Sequence, residues 1–309
     1  MNRDGIDLKL KLDKNDGCLQ IEKHPCFNKE AAELYGRVHL PVAKTCNISC
    51  NYCHRDYDCP NESRPGVTSS LITPEEAVCR IYDVKKIFND ISVAAVAGPG
   101  DSLAEPYDTM KTFELVRAEF PEVALCMSTN GLNLADNLNE LEDRGVKFIT
   151  VTLNAVDISI SRKIYRYVNY KGVVYTDKDA AGLLLERQIE GIDKAVKRGF
   201  TIKINSVLIP GINDFHIKDV AEKAKKLGVY MFNVMPMISA EKSYFYKIGV
   251  KGANRKDVIN ITKGLSGINV MEHCRQCRSD AAGPLNEDLS KKLCESEVDE
   301  DAGECGLRL

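Results

Sequence analysis

No apolar run in this 309-residue chain approaches the roughly 20 residues needed to cross a bilayer as a helix, which argues against a helical membrane protein. The first residues, Met-Asn-Arg-Asp-Gly-Ile-Asp, lack the apolar stretch of a secretory signal, so a cytoplasmic location is expected. Charge of one sign is also scarce. A net charge of −3 gives no basic field for nucleic acid or an anionic membrane. No short-period repeat is present beyond an alternation of strand-like and helix-like segments. What remains is a chain with 44% apolar residues, enough for one large domain with a real core.

Against these absences stand twelve cysteines. A disulfide scaffold fits poorly with the length and the missing export signal. Thiolates serving metal clusters fit better, and such clusters imply an anoxic or oxygen-protected compartment. Three of the thiols are spaced Cys46-x3-Cys50-x2-Cys53, directly after the strand-like run Gly36-Arg-Val-His-Leu-Pro-Val-Ala43. Three thiolates on one tight loop can hold three corners of a [4Fe–4S] cube and leave the fourth iron open. Zinc would want a fourth Cys or His at regular spacing, and His54 is too close to Cys53 to close a tetrahedron easily. The segment resembles the radical-SAM superfamily signature, including the aromatic Tyr52 before the third cysteine. That resemblance implies S-adenosylmethionine (SAM) chelated at the open iron and cleaved to a 5′-deoxyadenosyl radical.

Apolar, β-rich runs at 36–43, 91–98, 123–129, 148–154, 201–209 and 229–235 alternate with helical patterns near 107–119, 133–144, 180–198, 216–227 and 255–265. Thr73-Pro74-Glu75-Glu76 opens the first helix with a cap, and Gly145, Gly199 and Gly228 mark helix ends. The expected fold is α/β, a partial (β/α)6 barrel with its chemistry at the C-terminal strand ends. The expected division is an N-terminal extension 1–35, a barrel 36–267, a ligand segment 268–285 and an acidic, mobile tail 286–309. Both termini carry cysteines.

At the mouth, Gly98, Pro99, Gly100 and Asp101 end the second strand in a turn that could present N–H groups to the SAM amino group. On the third strand, alternation puts Cys126, Ser128 and Asn130 on the lumen face, and the segment Ser128-Thr129-Asn130 is a candidate SAM contact. Asn154 ends the next strand at the same rim. Six thiols beyond the first three then matter: Cys18, Cys26, Cys59, Cys126, Cys274 and Cys277. They suffice for two more four-iron clusters, with His24 as a candidate imidazole corner. Cys274-x2-Cys277 with Cys18 and His24 could equally make a zinc site. Cys79 falls in a helix pattern and reads as core, while Cys294 and Cys305 lie in the tail, so these three are left out of the ligand set.

Across His24-Pro-Cys26, the triad loop, Asn61-Glu-Ser-Arg-Pro-Gly66, Asn154-Ala-Val-Asp157 and Cys274-Arg-Gln-Cys-Arg278, the chain resembles the NifB-type radical-SAM proteins of nitrogenase cofactor assembly. The likeness spans almost the whole chain, in a form without the family's carrier-like C-terminal extension. It implies three [4Fe–4S] clusters, one for SAM and two auxiliary. The auxiliary pair would be fused into an eight-iron, carbide-containing precursor, with SAM as methyl donor and radical source. It also implies a reductant or ferredoxin as electron donor, a cluster donor, and a carrier or scaffold partner. Glu62, Ser63 and Arg64 fall inside a matching stretch as candidate catalytic residues without a deduced role, a rim salt bridge being equally open. Competing readings are a molybdopterin-precursor cyclase or peptide maturase with an auxiliary cluster, and a non-catalytic iron–sulfur scaffold.

Overall fold

The structure, a computed structural model, describes residues 20–61 and 63–290. Cys18, Glu62, Cys294 and Cys305 lie outside the described residues, as does the tail from 291 onward.

Six parallel strands form the expected open barrel: β1 (Gly36–His39), β3 (Ile91–Val96), β4 (Ala124–Thr129), β5 (Val146–Thr152), β8 (Thr201–Leu208) and β9 (Met231–Pro236). Their order is the order of the chain, because each βα unit packs its helix on the outside and returns beside its predecessor. The helices fall where the apolar periodicity put them, at Pro74–Ile87, Tyr107–Glu119, Leu134–Asp143, Asp177–Lys197, Ile217–Lys226 and Arg255–Thr262. Thr73 and Glu76 exchange the reciprocal hydrogen bonds of a capping box, with Pro74 at the first helical position. Gly199, at φ 85°, ends the long helix in the left-handed conformation that a side chain would disfavour. Val38, Val96, Leu125, Ile149, Ile204 and Phe232 pack under the helices as one core.

Two features differ from the sequence expectation. The C-terminal segment is not wholly outside the barrel: β10 (Ala282–Pro284) adds an antiparallel seventh strand to β1. The start of the expected mobile tail is packed too. Leu289 is buried, and its N–H donates to the Ala282 carbonyl. A second sheet was also missed. β2 (Ile48–Cys50), β6 (Tyr165–Tyr170) and β7 (Val173–Thr176) pair antiparallel, with Ile48 opposite Val168 and Cys50 opposite Tyr165. This small sheet holds the triad loop. Among the described residues, no helix is long and apolar enough to cross a membrane.

Candidate functional site: two cysteine chambers

The loop after β1 carries Cys46, Cys50 and Cys53 over the C-terminal ends of the strands. Together with Arg55, Cys59, Asn61, Asp101, Asn130 and Tyr167 they line a cavity. Gly100 lets the loop come this close. Its N–H donates to the Ala43 carbonyl, and a Cβ there would lie 2.1 Å from the Thr45 carbonyl oxygen. The Asp101 N–H likewise donates to Thr45. These N–H groups, expected to face a ligand, are therefore spent on the cluster loop, and the Pro99 carbonyl accepts from the Cys59 N–H.

Behind the loop lies a buried polar network. Tyr52, fully buried, donates its hydroxyl proton to the Asn61 side-chain oxygen. The Asn154 amide donates to the hydroxyls of Tyr52, at 2.7 Å, and Tyr165, at 3.1 Å, and its oxygen accepts from the Val207 N–H. These bonds tie the loop to β6 and β8. The Thr129 hydroxyl donates to the Asp101 carboxylate. Ser63 donates to the Cys59 carbonyl, while Arg64 is exposed and its backbone N–H holds the Cys277 carbonyl. Cys79 is half-buried on its helix rather than core.

The donor chemistry of this chamber fits a cluster. The Asn130 amide nitrogen lies 3.9 Å from Cys46 Sγ, and that of Asn61 lies 4.0 Å from Cys50 Sγ, placing N–H groups beside candidate thiolates. In the cluster-free protein, burial and then the Asp101 carboxylate push the Cys46 thiol up to about 12. Burial also raises Cys50, Cys53 and the Asp101 carboxyl.

The barrel lumen forms a second chamber. Cys26, Cys126, Cys274 and Cys277 line it with His24, Arg37, His39, Ser128, Lys203, Asn205 and Asn233. Cys126 and Ser128 thus share the lumen wall, and Asn130, one residue past β4, reaches the first chamber. Phe27 packs on Val93, Ala95, Ala124, Cys126 and Phe148 and closes the lumen below. Cys59 lies with the triad rather than with the lumen thiols. Asn61 stands between the chambers: it lines the first, and its carbonyl accepts from Asn205 of the second.

The lumen is rich in cations. Arg37 is buried and donates to the carbonyls of Gly283 and Pro284, and its guanidinium also reaches Cys277 Sγ at 3.2 Å. Lys203 is buried as well, its ammonium 5.1 Å over the Phe27 ring. Two cations among four thiols suit an anionic thiolate-bound cluster. Burial, then Lys203, lowers the His24 pKa, so the ring is neutral, and its buried Nε2 has no hydrogen-bond partner. Arg37, His39, Lys203 and Asn205 were missed by sequence reasoning. Each pair alternates with apolar residues on β1 or β8, the same signal that put Cys126 and Ser128 in the lumen. Among the described residues, no three His, Cys, Asp or Glu side chains gather tightly enough to hold a single metal ion.

The fold and the triad loop define the class. The radical SAM superfamily matches residues 40–224, and the chain belongs to it. Membership implies a [4Fe–4S] cluster and SAM. In particular, the chain is similar to the FeMo cofactor biosynthesis protein NifB. The NifB of Herbaspirillum seropedicae is 42% identical over 283 residues, covering 91% of this chain and 54% of that protein. That of Chlorobaculum tepidum is 40% identical over 282 residues, covering 90% and 66%. The chain spans 54% to 66% of the length of these two relatives. Among solved structures, methylornithine synthase (PylB) shares the fold, with a TM-score of 0.50 at 12% identity, covering 74% of this chain and 61% of that one.

Proposed function

We propose that this chain acts in the biosynthesis of the nitrogenase iron–molybdenum cofactor, joining two [4Fe–4S] substrate clusters into an eight-iron, carbide-containing precursor. The observation that carries this reading is the pair of cysteine chambers meeting at Asn61. Similarity to NifB across about nine-tenths of the chain supports it.

In this reading Cys46, Cys50 and Cys53 hold the resident cluster. Once bound, that cluster and SAM supply a methyl group for a substrate sulfide and the 5′-deoxyadenosyl radical that removes hydrogen from it. Asn61 and Asn130 direct amide protons at the ligating sulfurs, while Tyr52, Asn154 and Tyr165 keep the loop from moving. Cys26, Cys126, Cys274, Cys277 and His24 hold substrate clusters in the lumen. Cys18 is a further ligand on the N-terminal segment, and Cys59 one on the wall. Arg37 and Lys203 offset the thiolate charge. The short wall keeps donor and acceptor close, which a hydrogen abstraction requires. A ferredoxin-type reductant, a cluster donor and a product carrier complete the scheme, all under oxygen exclusion.

Anoxic reconstitution tests it. About twelve irons per chain are expected when three four-iron clusters are loaded. Under reduction with SAM, 5′-deoxyadenosine should form, and the product should activate cofactor-free nitrogenase. Folded protein that stops near four irons would favour a simpler radical-SAM maturase. Full iron without 5′-deoxyadenosine would favour a scaffold.

A further inference from the structure

The chain is acidic overall, at −3, yet the face beside the triad loop is basic. Asn51, between Cys50 and Cys53, is gripped by two segments. Its N–H donates to the Ile164 carbonyl at 2.8 Å, and its side-chain amide donates to the Lys163 carbonyl, also at 2.8 Å. Its own carbonyl accepts from the Phe245 N–H at 2.8 Å. The first segment, 158–167, carries Arg162, Lys163 and Arg166 and no acid. The second, 238–251, carries Lys242, Lys247 and Lys251 against Glu241. Asp177 pairs with Arg162 at 3.0 Å and Asp56 with Lys242 at 2.6 Å. Lys163, Arg166 and Lys247 are exposed.

The same face carries apolar area. Phe245 is buried, its ring centroid 6.4 Å from that of Tyr52, and it anchors the short helix Tyr244–Lys247. Around it Tyr244, Tyr246 and Ile248 are 50%, 52% and 54% exposed. Large apolar side chains left in water together mark an interaction site, and tyrosine is enriched in protein interfaces. Arg166 is set out by a β-bulge. Ser49 faces Tyr167 and Cys50 faces Tyr165, so Arg166 between them has no partner in the ladder. Tyr167, next to it, lines the triad cavity. None of these residues lines the lumen.

We propose that this face, formed by segments 158–167 and 238–251, docks the electron donor, an acidic iron–sulfur carrier protein. The proposal rests on the reading of Cys46, Cys50 and Cys53 as ligands of the resident cluster. Exposed cations around a few aromatic contacts suit a weak, charge-steered redox encounter, which is small and short-lived. Both segments hold the backbone of the cysteine loop, so a carrier seated there lies against the triad chamber. That favours an electron donor over a protein that exchanges clusters with the lumen. The carrier loses one electron. The electron passes through the resident cluster to the SAM sulfonium, whose S–C5′ bond breaks to give methionine and the radical.

The test uses the full chain, loaded anoxically with iron and sulfide, and an acidic bacterial ferredoxin. The dissociation constant is measured at low and high salt. The rate of 5′-deoxyadenosine formation is measured with reduced ferredoxin and with dithionite, which needs no docking. In the variant Lys163→Glu, Arg166→Glu, Lys247→Glu the dissociation constant should rise about tenfold or more at low salt. The ratio of the ferredoxin-driven to the dithionite-driven rate should fall by a similar factor, and taking the ratio removes any general loss of activity. Added salt should weaken binding by the wild type and leave the variant nearly unchanged. The control Lys197→Glu, Lys225→Glu, Lys226→Glu, exposed on the outer helices, should change neither quantity. An unchanged dissociation constant or rate ratio in the first variant, or an equal loss in the control, would overturn the proposal and leave the radical chemistry intact. So would a wild-type dimer that the first variant abolishes, since the face would then belong to a second copy of the chain. Fully loaded protein that makes no 5′-deoxyadenosine even with dithionite would overturn the reading of the triad chamber and the proposal with it.

Discussion

The two cysteine chambers are built by opposite means. The triad chamber takes its three thiols from near neighbours in sequence, Cys46 to Cys53, and is stiffened by neutral hydroxyls and amides. The buried Asp101 that lines it is tied to Thr129 and to the N–H groups of Asn130 and Leu103. The lumen is assembled from residues as far apart as His24 and Cys277, and two cations face its thiols. A local loop suits a cluster that stays. A chamber closed by two chain termini suits clusters that enter, react and leave. On the proposed reading, permanence comes from sequence proximity and a neutral network, and exchange from distant segments held by charge.

Breaking the first chamber alone should have the largest effect. With Cys46, Cys50 and Cys53 all replaced by alanine, 5′-deoxyadenosine formation should fall below detection, while about eight irons remain in the lumen. Loss of all iron would mean that the chambers do not load independently.

The reverse lesion is Cys126→Ala on the lumen wall. SAM cleavage should persist, and nitrogenase-activating product should drop by about tenfold or more, as for loss of a metal ligand or its support. Wild-type product with full iron content would leave Cys126 as a core thiol, in keeping with its contacts to Phe27 and Phe148.

A smaller effect is expected from Asn154→Leu. It strands the Val207 N–H and removes the partner of two tyrosine hydroxyls, costing about 3 kcal/mol in urea unfolding. SAM cleavage should weaken more than lumen iron binding. Equal loss in both would show that the network serves the whole barrel.

The smallest contrast is in pH dependence. His39 titrates near 6.5 when unfolded and about 4 when folded, so the unfolded chain binds the extra proton as pH falls between those values. Cluster-free protein should therefore lose about 2 kcal/mol from this group between pH 7 and pH 5. Asp101 works the other way. Its folded pKa is raised by burial, so it favours the folded state as pH drops toward the carboxylate range. Urea midpoints of wild type and His39→Asn at the two pH values check the lumen contribution. Parallel slopes would contradict it.

Much of the fold was legible. The six parallel strands are buried apolar runs, and their helices carry caps and glycine stops that act locally. The hairpin at 165–176 was overlooked although Tyr-Arg-Tyr-Val-Asn-Tyr, then Lys171-Gly172 at positive φ, then Val-Val-Tyr-Thr, is a strand–turn–strand pattern. It follows a short helix, Ile158–Ile164, where the strand–helix alternation predicts only a βα connection. In the site, strand alternation was enough to put Cys126 and Ser128 in the lumen. It could not say where an amide at a strand end would turn. Asn154 lies two residues past β5, yet the hydroxyls of Tyr52 and Tyr165 take its protons. Arg37 beside Cys277 was illegible for the same reason, since 240 positions separate them in the chain.

The central claim is that one wall divides a resident cluster from substrate clusters. Iron anomalous scattering from anoxic crystals of the loaded protein tests it most directly. The account predicts iron at Cys46, Cys50 and Cys53 and, separately, iron in the lumen among Cys26, Cys126, Cys274 and Cys277. Iron confined to the triad, with the lumen thiols unligated in fully reconstituted protein, would contradict it.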